Sequence, residues 1–67
     1  MPLDVATLGR LVGGEFLTRA EAHDALHSIL DGVVDPLVIA SFLTAMAQRG
    51  ESVEEMAGFV DAMMAAS

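Results

Sequence analysis

The chain has 67 residues, a formal net charge of −7, 54% hydrophobic residues and no cysteine. A chain this short buries only about 60% of the surface that its unfolded form exposes, so we expect one domain, residues 1–67, with one small core. The absence of cysteine argues against a disulfide-stapled secreted fold, and ten acidic residues against three basic ones argue against nucleic acid as a partner.

The first two predicted helices are separated by a glycine pair. Apolar residues at helical spacing predict helix 1 over residues 3–12, with Gly13-Gly14 following where a left-handed cap belongs. Thr18 and Glu21 have the spacing of a capping box, which predicts helix 2 over residues 19–30. Its apolar stripe comprises Ala22, Ala25, Leu26, Ile29 and Leu30, whereas Arg19, Glu21, His23, Asp24, His27 and Ser28 lie off the stripe.

Helix 3 is predicted over residues 36–49, because Asp35 can cap the free amides and Pro36 suits the first helical position. Its side chains are apolar on almost all sides; the polar ones are Ser41, Thr44, Gln48 and Arg49. A helix of this kind is normally buried. We therefore expect helix 3 to be central or partly covered by a partner.

Helix 4 is predicted to begin at Val53, after a second capping box formed by Ser52 and Glu55, and to continue nearly to the last residue. Its apolar side comprises Val53, Met56, Ala57, Val60, Met63 and Met64, and its polar side comprises Glu54, Glu55 and Asp61. No alternating pattern typical of a strand competes with these helices. The expected fold class is all-α, a compact bundle of four short helices.

The chain offers no sequence signal for export or for a membrane. No run approaches the roughly 18 apolar residues of a membrane span, and no basic segment with an apolar run and a cleavage site precedes helix 1. We expect a cytoplasmic protein with no membrane partner.

His23 and His27 stand at i, i+4 on helix 2, as metal ligands on a helix do, and Asp31 extends the row. No closed ligand set accompanies them, so the favoured interpretation is an ordinary polar face and no metal site. A calcium loop from Asp31 is also disfavoured, because Val33 occupies the third position and Phe42 the twelfth.

No catalytic or cofactor-binding residue is predicted in this chain. Gly13-Gly14 lacks the preceding strand and further glycines of a phosphate-binding loop, so it is interpreted as a helix cap. No serine is paired with a histidine in the manner of an activated nucleophile. An acyl carrier protein would fit the size and acidity, but no serine has the Asp-Ser-Leu setting of its attachment site.

Association is the one binding property that the composition favours. Methionines and phenylalanines make an adaptable apolar surface. In a bundle of four short helices, the other three are too short to cover helix 3 on all sides, so part of its apolar surface should stay exposed. The candidate association surface comprises Phe42, Met46, Phe59 and Met63. The alternative interpretation of these side chains is the bundle core, and both can hold at once.

Four runs of the sequence resemble the N-terminal helical domain of the anthranilate phosphoribosyltransferase family, within glycosyltransferase family 3. They are residues 17–22, 29–32, 39–46 and 49–58, and the resemblance covers essentially the whole chain. The most specific is the run from Arg49 to Gly58: a basic residue, then Gly-Glu-Ser, two variable residues, a Glu, and Met-Ala-Gly. Its Ala57-Gly58 pair also suits a close approach of another helix.

The resemblance implies a role as well as a fold. In that family the helical domain precedes an α/β domain that holds phosphoribosyl pyrophosphate and magnesium, and dimers form chiefly through the helical domain. The phosphate loop of that domain is missing from these 67 residues. The resemblance therefore implies a non-catalytic dimerisation and lid domain in tryptophan biosynthesis, which forms a homodimer or docks onto a missing α/β domain. The alternative is a free-standing acidic module for protein–protein interaction, with no enzymatic activity.

Overall fold

All four predicted helices are present in a computed structural model of the chain, which describes residues 3–67. The helices are α1 (Val5–Val12), α2 (Arg19–Leu30), α3 (Pro36–Arg49) and α4 (Val53–Ala66). Residues 3–67 contain no strand, which confirms the all-α prediction. The closest packing joins α2 to α4, and α1 packs on α3. The bundle therefore consists of two helix pairs around one core.

Helix α1 begins at Val5 and not at Leu3, because Asp4 caps it. The Asp4 carboxylate accepts a hydrogen bond of 2.8 Å from the Thr7 amide, and this bond lowers the pKa of Asp4. Leu3 lies outside the helix and is buried in the core. Its amide donates to Ser28 Oγ on α2 at 3.1 Å, so the segment before α1 is fixed to α2.

The start and end signals of the other helices act as predicted. Both capping boxes form, Thr18 with Glu21 and Ser52 with Glu55, and α2 and α3 have the predicted bounds. After α1 the chain turns at Gly14, whose φ of +91° lies in the left-handed region that favours glycine. The glycine pair is therefore a helix end, as the sequence indicated.

The core is built from small and medium side chains of the first three helices and the segments beside them. Its buried apolar members are Leu3, Leu11, Leu17, Ala22, Ala25, Phe42, Ala45 and Met46. The predicted apolar stripe of α2 is wrong at two positions. Ser28, predicted to lie off the stripe, is buried at 5% exposure, whereas Leu30, predicted to lie on it, is 51% exposed. Ser28 tolerates burial because its hydroxyl both accepts from Leu3 and donates to the Ala25 carbonyl.

Helix α3 is not enclosed by the rest of the chain. Phe42, Ala45 and Met46 face the core, but Leu37 is 75% and Leu43 58% exposed. The central position that its apolar composition suggested is therefore wrong, because α3 packs chiefly against the short helix α1. The other expectation, cover by a partner, stays a prediction.

Helix α4 presents its apolar side to the exterior. Its buried residues are Glu55, Gly58 and Ala62, and the predicted apolar side faces outward. The cause is the close packing of α4 on α2: the position of a Cβ at Gly58 overlaps the Arg19 carbonyl oxygen. Only small side chains fit at such a contact, so the large apolar residues are displaced to the surface.

Candidate association surface

The structure separates the four residues predicted to form an association surface. Phe42 and Met46 are 3% and 4% exposed, so they belong to the core and to no surface. Phe59 is half-buried and packs edge-on against the Phe42 ring, with centroids 6.1 Å apart. Met63 is 53% exposed. Phe42 and Met46 lie one helical turn apart on the inward side of α3, which explains why they share the core.

More exposed large apolar side chains lie on α4 than on any other helix. Five large apolar side chains of α4 are half exposed or more, and four of them recur at intervals of three and four residues: Val53, Met56, Val60 and Met63. This spacing is typical of the seam along which two helices pack. Beside the seam is a groove of about 310 Å³, here named the α4 groove, lined by Glu51, Met56, Phe59, Val60 and Met63. The four seam residues belong to the side of α4 that the sequence predicted as apolar, whereas no feature of the sequence marked Glu51.

A second apolar region lies on the outer face of α3. Its exposed side chains include Leu37 and Leu43, with the small Ala40 and Ala47 also at the surface. A hollow of about 190 Å³ lies nearby, lined by Leu11, Val12, Gly14, Ala45, Gln48 and Arg49. The bundle thus presents apolar side chains on α3 as well as on α4.

A buried ion pair joins α3, α4 and the segment before α2. Arg49 donates to both carboxylate oxygens of Glu55, at 2.7 and 3.1 Å, and the Glu55 side chain is fully buried. The same carboxylate accepts from the amides of Leu17, at 2.8 Å, and Ser52, at 2.9 Å. Burial raises the pKa of Glu55, but these hydrogen bonds outweigh it, so the pKa is lowered overall. The Arg49 guanidinium also lies over the Phe16 ring, 4.3 Å from its centroid.

The other two arginines are also paired with acids of neighbouring helices. Arg10 of α1 donates to Glu21 of α2 at 2.6 Å and lowers the pKa of that carboxyl to about 2. Arg19 of α2 donates to Asp61 of α4 at 2.6 Å and likewise lowers its pKa. With Arg49 and Glu55, all the arginines of the chain link one helix to another.

The two histidines lie side by side on α2, with ring centroids 5.7 Å apart. His23 Nδ1 lies 3.0 Å from an oxygen of Asp24, and His27 Nδ1 lies 3.0 Å from an oxygen of Asp31. Across the described part of the chain, no three His, Asp or Glu side chains come together as metal ligands.

The helices of this bundle are short. Among residues 3–67, none is both long enough and apolar enough to cross a bilayer.

Comparisons of the chain with curated proteins and with a family description agree on one family. Curated relatives named anthranilate phosphoribosyltransferase match from Methylobacterium radiotolerans (48% identity over 58 residues), Bacillus pumilus (45% over 56) and Moorella thermoacetica (41% over 58). The alignments cover 87%, 84% and 87% of this chain but only 17%, 16% and 17% of the relatives. No solved structure gives a significant match.

The family description that matches is "Glycosyl transferase family, helical bundle domain", and its match extends over residues 5–67. This range contains all four helices and both capping boxes. It also confirms the resemblance drawn from the run between Arg49 and Gly58. The chain therefore belongs to the glycosyl transferase family and carries its helical bundle domain.

Proposed function

We propose that this chain serves as the non-catalytic helical domain of an anthranilate phosphoribosyltransferase-like enzyme, with a role in dimerisation and as a lid. The observation that carries the proposal is the identity of 41 to 48% with proteins of that name over 87% of this chain. The parent reaction transfers a phosphoribosyl group to anthranilate in tryptophan biosynthesis, in the cytoplasm. We assign its phosphate and magnesium sites to an α/β domain outside residues 1–67.

The exposed side chains of α3 support the dimerisation role. Leu37 and Leu43 are more than half exposed, and Ala40 and Ala47 beside them are small enough to let a second helix approach. Burial of apolar surface contributes about 25 cal/mol per Å², so a face of this kind favours association. We therefore propose the outer face of α3 as the contact between two copies.

A domain exchange tests the proposed enzyme role. The helical segment of the Methylobacterium radiotolerans relative is replaced by residues 5–67 of this chain, and turnover is followed by the loss of anthranilate. We expect the chimaera to retain activity, whereas the relative with its helical segment deleted and the isolated 67-residue chain should both be inactive. An isolated chain that consumed anthranilate, or an inactive chimaera that is folded, would contradict the proposal.

Sedimentation tests the dimer separately. At tens of micromolar we expect the isolated chain to exceed its monomer mass of 7.0 kDa. Leu43→Glu should shift it to the monomer, because the new carboxylate would be buried in the contact without a partner. The control is Val33→Glu, at another exposed apolar position, between α2 and α3. A wild-type chain that sediments only as a monomer contradicts the α3 contact.

One observation favours the alternative, a free-standing acidic interaction module. Each of the helices α1 to α4 begins with a cap supplied by the chain itself: Asp4, Thr18, Asp35 and Ser52. Local capping of this kind lets a short bundle fold without another domain. A reading frame that stops after Ser67, together with an inactive chimaera, would favour this alternative over the enzyme role.

A further inference from the structure

We propose that the α4 groove binds an amphipathic helix with basic residues on its flank, supplied from outside residues 1–67 and not by a second copy of this chain. This inference goes beyond the proposed function and does not rest on it. It follows from the spacing of the seam, from the charge in the groove and from the fact that every arginine of the chain is already paired with an acidic side chain.

The spacing indicates that the occupant is a helix. Val53, Met56, Val60 and Met63 alternate at intervals of three and four residues, so they form one stripe along α4. At 1.5 Å per residue the stripe is about 15 Å long, which matches about three turns of a partner helix. The methionines among them adapt to different apolar side chains.

The charge of the groove indicates that the occupant is basic. Glu51 lines the groove just before α4 begins, and none of the arginines or histidines in the described residues lies within ion-pair distance of it. Docking of a helix in the groove would partly remove the Glu51 carboxylate from water. A lysine or arginine at this end of the docked helix would provide that carboxylate with an ion-pair partner.

A second copy does not meet this requirement. The chain contains no lysine, and its three arginines are held by Glu21, Asp61 and Glu55. To offer an arginine to Glu51 of another copy, one of these pairs would have to open and a link between two helices would be lost. Self-pairing along α4 would therefore cover Glu51 without a counter-charge, which is unfavourable.

Two designed peptides test the proposal on the isolated chain. Both form amphipathic helices of about four turns with leucines at seam positions, and one carries lysines on the flank where the other carries glutamates. Fluorescence anisotropy measures their binding at roughly physiological salt. We expect the lysine peptide to bind at least about tenfold more tightly than the glutamate peptide. Val60→Asp should weaken its binding by about tenfold, whereas Val5→Asp on α1 should not.

A pair of charge reversals separates a specific contact from general attraction to an acidic protein. Glu51→Lys and Glu15→Lys make the same change in net charge, and Glu15 lies in the segment between α1 and α2. Only Glu51→Lys should weaken binding of the lysine peptide by about fivefold or more. Circular dichroism verifies that each variant is folded.

Three results would overturn the proposal. The first is equal binding, or no binding, of the two peptides. The second is equal weakening by Glu51→Lys and Glu15→Lys, which indicates non-specific attraction. The third is a dimer of the chain that Val60→Asp dissociates, which assigns the groove to a second copy. None of these results bears on the chimaera, so failure here and failure of the proposed enzyme role are distinguishable.

Discussion

Arg49 and Glu55 join the end of α3 to the start of α4 through two hydrogen bonds, of 2.7 and 3.1 Å. Arg10 and Glu21 form the same relationship between α1 and α2. In each case an arginine in the last turn of one helix binds the capping-box glutamate of the next. The residue that starts a helix therefore also fixes its position relative to the helix before it.

Glu55→Gln should destabilise the chain by about 3 kcal/mol, as loss of one member of a buried ion pair commonly does. The amide would place a donor where an oxygen now accepts from Arg49 and from the Leu17 amide. Urea unfolding followed by circular dichroism measures the change in free energy. The control is Glu54→Gln, one residue earlier and exposed. Equal stability of the two variants would contradict the role assigned to Glu55.

Gly58→Ala should destabilise the chain by about 1–3 kcal/mol, the usual cost of overpacking. The added Cβ would overlap the Arg19 carbonyl oxygen and lie 2.8 Å from the Ala22 Cβ, so α4 would have to move away from α2. Gly9→Ala in α1 is the matched control, because no atom lies within 4 Å of its added Cβ. That variant should gain up to about 1 kcal/mol from helix propensity. Thermal unfolding measures the melting temperature of each variant. Shifts of the same sign in both variants would refute the close contact between α4 and α2 at Gly58.

Ser28→Ala should cost about 1–2 kcal/mol, because it leaves the Leu3 amide without its acceptor. Amide hydrogen exchange at Leu3 should become faster, while exchange in the middle of α3 should change only with global stability. Ser41→Ala is the control: its hydroxyl bonds only the carbonyl one turn back and is exposed. Unchanged exchange at Leu3 in the Ser28 variant would show that this bond does not fix the segment before α1.

Acid should destabilise the fold over a defined range of pH. Hydrogen bonds from Arg10 lower the pKa of Glu21 from 4.5 to about 2, and those from Arg19 lower that of Asp61. Because the folded-state pKa lies below the unfolded one, the stabilisation is complete above about pH 4.5 and is lost as the pH falls towards 2. Melting temperatures recorded between neutral pH and pH 2 should be level at first and then decline. The Glu21→Gln variant should have a lower melting temperature at neutral pH, and its melting temperature should fall less steeply as the pH is lowered. An unchanged slope would exclude Glu21 as a cause of the acid destabilisation.

The local start and end signals could be predicted from the sequence, because they depend on residues close together in the chain. Thr18 with Glu21 and Ser52 with Glu55 gave the starts of α2 and α4, and Asp35-Pro36 gave the start of α3. Only α1 began later than predicted, since Asp4 was not recognised as its cap.

The orientation of the helices could not be predicted in the same way. Hydropathy favoured burial of Met56 and Val60, but the interior side of α4 consists of Glu55, Gly58 and Ala62. What decides the orientation is how closely α2 and α4 approach, together with the Leu17 amide, which meets Glu55 from far along the chain. For the same reason, hydropathy marked Phe42 as apolar but did not indicate whether it lies in the core or at the candidate surface.

The pairing of every arginine has a practical consequence for proteolysis. Trypsin cleaves only after lysine or arginine, and this chain contains no lysine. Its three potential cleavage points, after Arg10, Arg19 and Arg49, lie within or at the end of helices, and each arginine is held by an acid of another helix. Because cleavage requires an opened backbone, tryptic digestion of this protein should report the unfolded population directly.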